Sequence, residues 1–131
     1  MAKVLVVEDN PANMTLSNFL LESAGHSVLK ATDAETGVAL AKTEQPDLIL
    51  MDIQLPGMDG LRATGLLKGD AATRDIPVIA LTALAMKGDE ERIRAAGCDG
   101  YIAKPLAYKE FLATIAAELE KRAGAGSGSM P

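Results

Sequence analysis

Residues 47–60 read Asp47-Leu48-Ile49-Leu50-Met51-Asp52-Ile53-Gln54-Leu55-Pro56-Gly57-Met58-Asp59-Gly60, and this stretch decides the fold. Its first part is an almost unbroken apolar run. Such a run is the pattern of a strand buried on both faces, the habit of a parallel sheet. Asp52 closes the run just before a Pro-Gly loop. Its carboxylate therefore stands at the carboxyl edge of the sheet, where open α/β folds bind ligands. The arrangement recurs near the N-terminus, where Val4-Leu5-Val6-Val7 runs into Glu8-Asp9. Three acids converge on one edge of one sheet.

Working outward, five strand-like runs alternate with five helical patterns. The strands are expected over 3–7, a weaker 26–30, 47–51, 77–81 and 100–103. The first helix opens with Asn10 as cap and Pro11 at the first helical position. Its apolar residues Met14, Leu16, Phe19, Leu20 and Leu21 fall roughly at helical spacing, and Gly25 ends it. The second starts at Asp33, carries Val38, Leu40 and Ala41 inward and stops before Pro46. The others are expected over about 61–68, 87–96 and 108–122. Strict βα alternation implies a parallel sheet with right-handed crossovers and helices on both faces. Residues 1–122 read as one domain, and the Gly/Ser-rich tail 123–131 as disordered.

The 131 residues are 48% hydrophobic but only 3% aromatic, so the core is aliphatic. A net charge of −5 argues against a nucleic-acid partner, which needs a basic footprint, and against an anionic membrane surface. Cys98 is the single cysteine and cannot form an internal disulfide. The start, Met1-Ala2-Lys3-Val4, has no signal-peptide pattern. No apolar run approaches the ~18 residues that a membrane span needs. The expected location is the cytoplasm. With no further domain expected after the fifth helix, output is expected from the surface of this one domain.

The strand ends present a defined chemistry. The first gives Glu8 and Asp9, the third Asp52, the fourth Thr82 and the fifth Lys104. In a five-stranded doubly wound sheet, strands one, three and four are neighbours and strand five borders four, so these groups can share a pocket. Three close carboxylates repel one another unless a cation joins them. With only oxygen ligands at hand, the matching ion is hard, Mg²⁺ or Mn²⁺. Lys104 adds a point positive charge and Thr82 a hydroxyl donor, which together make a cradle for a phosphoryl group beside Asp52. A carboxylate can attack phosphorus to form an aspartyl-phosphate.

Residues 4–9, 47–60, 79–83 and 101–105 together resemble the receiver domain of bacterial two-component response regulators. The resemblance covers roughly residues 3–122. Residues 85–94, with the following Gly-Cys, are further similar to stand-alone receivers of the DivK type. It implies a flavodoxin-like fold with strand order 2-1-3-4-5. It also implies that Asp52 is the phosphoacceptor, taking its group from a phosphohistidine on a sensor histidine kinase or a histidine phosphotransfer protein. Asp9 then matches a direct metal ligand, Glu8 the second acid, and the backbone carbonyl of Gln54 the third protein ligand. Lys104 matches the phosphate-pairing lysine, Pro105 a proline that follows a cis peptide bond, and Thr82 with Tyr101 the switch pair. Glu8 stands where many receivers carry Asp, which lengthens one acid arm. The implied protein is not a conventional enzyme. It catalyses its own aspartyl phosphorylation and dephosphorylation, and signals through the face made by the fourth helix, fifth strand and fifth helix. Gln54 and Leu84, flanking the pocket, are expected to set how fast water reaches the phosphoryl group.

Simpler roles cover the remaining polar residues. Asp59-Gly60 reads as a turn with a helix cap, and Asp47 and Asp99 as caps or turns. His26 reads as surface or half-buried, Cys98 as a small buried filler, and Met51, Met58 and Met86 as packing. Glu118, Glu120, Lys121 and Arg122 read as a solvated face. Among rivals, a haloacid-dehalogenase-like phosphatase normally carries a second Asp where this chain has Gln54. A flavodoxin-type FMN carrier needs a hydroxyl-rich phosphate loop in place of Glu8-Asp9-Asn10-Pro11. A phosphorelay intermediate and a phosphorylation-independent binding module remain as alternatives within the receiver reading.

Overall fold

The computed structural model describes the backbone of residues 2–55, 57–82, 87–104 and 108–128, with side chains except those of 87–89, 108 and 122–128. The elements alternate without exception: β1 (Lys3–Val7), α1 (Pro11–Ser23), β2 (Ser27–Ala31), α2 (Ala34–Glu44), β3 (Leu48–Asp52), α3 (Gly60–Gly69), β4 (Val78–Thr82), α4 (Lys87–Ala95), β5 (Gly100–Ala103) and α5 (Tyr108–Gly128). The strands form one sheet in the order β2-β1-β3-β4-β5, and every neighbouring pair is parallel. This is the expected five-stranded doubly wound architecture. Strands β2, β3 and β4 are each shifted by one residue toward the C-terminus from the expected bounds, so Asp52 and Thr82 are the last residues of their strands.

Side-chain alternation splits the core into two layers. Val4, Val6, Leu48, Leu50, Ile79, Leu81 and Ile102 point to one face, where Leu20 and Leu21 of α1 and Phe111 and Ile115 of α5 cover them. Leu5, Val7, Ile49, Met51, Val78 and Ala80 point to the other. There Ala34 and Ala41 of α2, Ala63 and Leu67 of α3 and Ile93 of α4 close the layer. All of β3 and β4 is buried, which is why neither strand shows polar alternation. Each fully buried Leu, Ile, Val or Met contributes roughly 1.5–3 kcal/mol relative to exposure.

The helix starts follow the sequence signals. Asn10 Oδ1 accepts from Asn13 N at 3.0 Å, Asp33 Oδ1 from Thr36 N at 2.7 Å and Asp59 Oδ1 from Arg62 N at 2.8 Å. Asp47 and Asp99, expected as caps or turns, hold residues distant in the chain. Asp47 Oδ2 accepts from Lys3 N at 2.8 Å, and Asp99 Oδ2 from Val78 N at 2.8 Å and Lys68 Nζ at 3.0 Å. His26 is half-buried and accepts from Ala2 N at 3.2 Å.

Several inward faces differ from expectation. On α1 the buried stripe is Ser17, Leu20 and Leu21, with Met14 partly buried, whereas Leu16 is 39% and Phe19 67% exposed. At 3.6 residues per turn Leu16 and Phe19 fall on the flank away from the sheet. On α2 the innermost residues are Ala34, Gly37 and Ala41, and Val38 and Leu40 flank them half-buried. A methyl at Gly37 would stand 2.7 Å from Val7 Cγ2, so the missing side chain lets α2 lie directly on β1. On α5 Glu118 is buried, not solvated, because Phe111, Ile115 and Glu118 share one helical stripe. Gly100 leaves room for it, with a Cβ position only 3.7 Å from Glu118 Oε1. Helix α5 continues to Gly128, six residues past the expected end. Residues 129–131, Leu84, Met86, Pro105 with its preceding peptide bond, and the Arg122 side chain lie outside the described residues.

Candidate functional site

The carboxyl ends of the strands bring the acids together as the sequence implied. Glu8 follows β1, its N–H donating to Ala31 O at 3.0 Å, and its side chain is completely buried. Asp52 ends β3, also buried, while Asp9 is exposed at the rim. One carboxylate oxygen from each of Glu8, Asp9 and Asp52 lies within 4.8 Å of the others. Gln54 N donates to Asp52 Oδ1 at 2.9 Å, a two-residue turn that fixes the orientation of the carboxylate. The Gln54 side chain is exposed beside it.

Lys104 enters from β5. Its N–H donates to Thr82 O at 2.7 Å, extending the ladder between β4 and β5 by one rung. Its ammonium nitrogen reaches across the sheet edge to Glu8 Oε1 at 2.8 Å and Asp52 Oδ2 at 3.1 Å. Thr82 is fully buried at the end of β4, paired in register with Ala103. Tyr101 pairs with Ala80 and is half-buried against the face that α2, α3 and α4 cover. The structure thus gathers Glu8, Asp9, Asp52, Gln54 and Lys104, with Thr82 on the adjacent strand end. Tyr101 stands two residues earlier along the sheet.

The electrostatics follow from this crowding. Burial pushes the Glu8 carboxyl up to about 7, the nearby Asp52 carboxyl adds to the rise, and Lys104 offsets only part of it. Burial works against the charge of Lys104, but its bonds to Glu8 and Asp52 outweigh this and hold it above the ordinary lysine value. Glu8 Oε2 is buried without a hydrogen-bond partner among the described residues. An orphaned carboxylate oxygen beside two further carboxylates, with no sulfur or imidazole in the cluster among the described residues, suits a hard divalent cation.

Two features of the site were not legible in the sequence. One is the direct Glu8–Lys104 ion pair, which depends on the side-chain conformations of both residues and not on strand order alone. The other is Gly60, whose only signal was a poor helix former at the first position of α3.

Residues 4–116 match the family described as the response regulator receiver domain. Over 112 residues the chain is 51% identical to the polar-differentiation response regulator DivK of Brucella anthropi, covering 86% of this chain and 91% of that protein. Among solved structures, the receiver domain of a sensor histidine kinase from Pseudomonas aeruginosa, described with a magnesium ion coordinated in its active site cleft, is 37% identical. It aligns with a TM-score of 0.85 over 91% of this chain and 98% of that one. A CheY-like receiver domain protein from Methanospirillum hungatei gives a TM-score of 0.88 at 27% identity, covering 95% and 98%. The expected fold and the resemblance read from the motifs are both met: the chain belongs to the receiver domain family of response regulators.

Proposed function

We propose that this chain works as a single-domain response regulator in the cytoplasm. It accepts a phosphoryl group onto Asp52 from a phosphohistidine of a sensor histidine kinase or a histidine phosphotransfer protein, and then signals through protein contacts. The observation that supports this most is the convergence of Lys104 and the buried carboxylates on Asp52. Identity of 51% with proteins described as polar-differentiation response regulators supports the signalling role. Glu8, Asp9, Asp52 and the backbone carbonyl of Gln54 would hold Mg²⁺ or Mn²⁺. When bound, the cation neutralises charge on the phosphoryl oxygens as a Lewis acid.

The chain's own residues then orient and stabilise the transfer. Gln54 N–H holds Oδ1 of Asp52, so Oδ2 is the attacking oxygen. A new Oδ2–P bond forms as the P–N bond breaks, and the electron pair of that bond returns to the imidazole nitrogen. Lys104, already 3.1 Å from Oδ2, turns its ammonium from Glu8 to the phosphoryl oxygens. Positioning and charge stabilisation supply most of the catalysis, as is usual for phosphoryl transfer.

The group adds roughly two negative charges and strong acceptor oxygens. Thr82 turns its hydroxyl to donate to them, Tyr101 moves inward into the vacated space, and the face of α4, β5 and α5 changes shape for a downstream protein. Hydrolysis of the aspartyl-phosphate resets the protein, with Gln54 at the pocket mouth governing the approach of water.

Phosphoramidate, whose P–N bond imitates phosphohistidine, tests the reading. With Mg²⁺ it should phosphorylate Asp52 and displace the amide resonances of Thr82 and Tyr101. An unphosphorylated chain, or label on another residue, contradicts the proposal.

A further inference from the structure

We infer that Gly60 is a positioning residue for Asp52: the bare first turn of α3 is the template against which the backbone of the acceptor aspartate is set. The inference rests on Asp52 being the phosphoacceptor. Gly60 is the first residue of α3, behind its cap Asp59, and is buried. Its backbone is helical rather than left-handed, so no unusual φ explains the glycine. Space explains it. A methyl on Gly60 would stand 2.7 Å from Ile53 Cα and 2.8 Å from the carbonyl carbon of Asp52, and closer still to that carbonyl oxygen. All three neighbours are backbone, which cannot rotate aside as a flexible side-chain end can.

Neither partner is free to retreat. The peptide after Asp52 is held from the opposite side, since Ile53 N donates to Leu81 O of β4 at 3.2 Å. On the helix side, Ala63, Thr64 and Leu67 are buried, and Thr64 Oγ1 donates to Gly60 O at 2.8 Å. Gly60 N–H itself reaches Ile53 O at 3.4 Å. The Asp52–Ile53 peptide is therefore wedged between β4 and α3, with Gly60 as the contact. From this peptide spring both the Asp52 carboxylate and the turn to Gln54 that fixes Oδ1. Any side chain at position 60 displaces the carboxylate relative to Lys104 and the other acids.

Gly65 supplies an internal control, because it is exposed in the same helix and a methyl there meets nothing within 4 Å among the described residues. Three variants are compared with the unmodified chain in phosphoramidate and Mg²⁺: Gly60→Ala, Gly65→Ala and the double change. Gly65→Ala should react at the unmodified rate. Gly60→Ala should react about 10- to 100-fold more slowly, the range expected when a reacting group is displaced by about 1 Å. The double variant should recover thermal stability through the better helix former without recovering the rate. A merely structural glycine would recover both together, and that result overturns the inference, as does an unmodified rate in folded Gly60→Ala. Failure of the unmodified chain to react removes the acceptor role of Asp52 and this inference with it. Should neither Gly60 variant fold, Mg²⁺ titration of the unmodified chain decides. The Gly60 amide resonance should shift with the same midpoint as that of Gln54, and an unmoved Gly60 amide overturns the inference.

Discussion

Lys104 Nζ lies 2.8 Å from Glu8 Oε1, joining two residues that are 96 positions apart in the chain and sit at the ends of β5 and β1, three strands away in the sheet. The same ammonium touches Asp52 Oδ2 at 3.1 Å, so one cation stands among the acids of the site. Glu8 is wholly buried, and its second oxygen has no partner among the described residues. Among the described residues the pocket is thus short of positive charge, and that shortage organises its pH response, its stability and its chemistry.

Glu8 carries a raised pKa, about 7 against an ordinary 4.5. A raised acid favours its protonated form in the folded chain. Its contribution to stability is complete below about pH 4.5 and is lost as pH rises through about 7. Urea unfolding of the metal-free chain should therefore weaken by about 1–3 kcal/mol between these pH values. Glu8→Gln should remove this slope. A slope identical in the variant assigns the pH dependence to other groups.

Lys104→Met takes away the cation and leaves Glu8 and Asp52 facing each other in a buried site. Stripping one partner from such a cluster is expected to lower metal-free stability at pH 7 by about 3 kcal/mol. Mg²⁺ should then stabilise the variant more than it stabilises the parent chain, because the ion takes over the neutralising role. Thermal unfolding with and without Mg²⁺ reads both effects, and an equal or smaller metal response in the variant contradicts the account.

The two phenylalanines separate the core from the surface. Phe111 is fully buried between α5 and the sheet, so Phe111→Ala should lose about 3–5 kcal/mol. Phe19 is 67% exposed, and Phe19→Ala should stay within about 0.5 kcal/mol of the parent. Denaturant midpoints distinguish them. A large loss at Phe19 would show that α1 packs through its sequence-apparent apolar cluster.

The contrast between those residues marks what the sequence could and could not convey. Continuous apolar runs at 4–7, 48–51 and 78–81 have one physical reading, strands buried on both faces, and strict alternation with helices then dictates a parallel sheet. Asn10, Asp33 and Asp59 announced their helices because a cap is a local hydrogen bond. Carboxylates at strand ends converge once the order of strands is known, which is why Glu8, Asp9 and Asp52 were legible as one site. Helix faces were less so. Leu16 and Phe19 look like core by composition, yet Ser17 lies closer to the sheet, and only packing decides that. Glu118 is buried because Gly100 on another element makes room, and the Gly60 contact depends on a backbone carbonyl that leaves no trace in the side-chain pattern.

Intact mass after incubation with acetyl phosphate is the most direct measurement of the central claim, that Asp52 accepts phosphorus in a metal-dependent pocket. One added phosphoryl group is expected with Mg²⁺, none after chelation, and none in Asp52→Asn. A phosphoryl group acquired equally without the metal, or retained in Asp52→Asn, would contradict it.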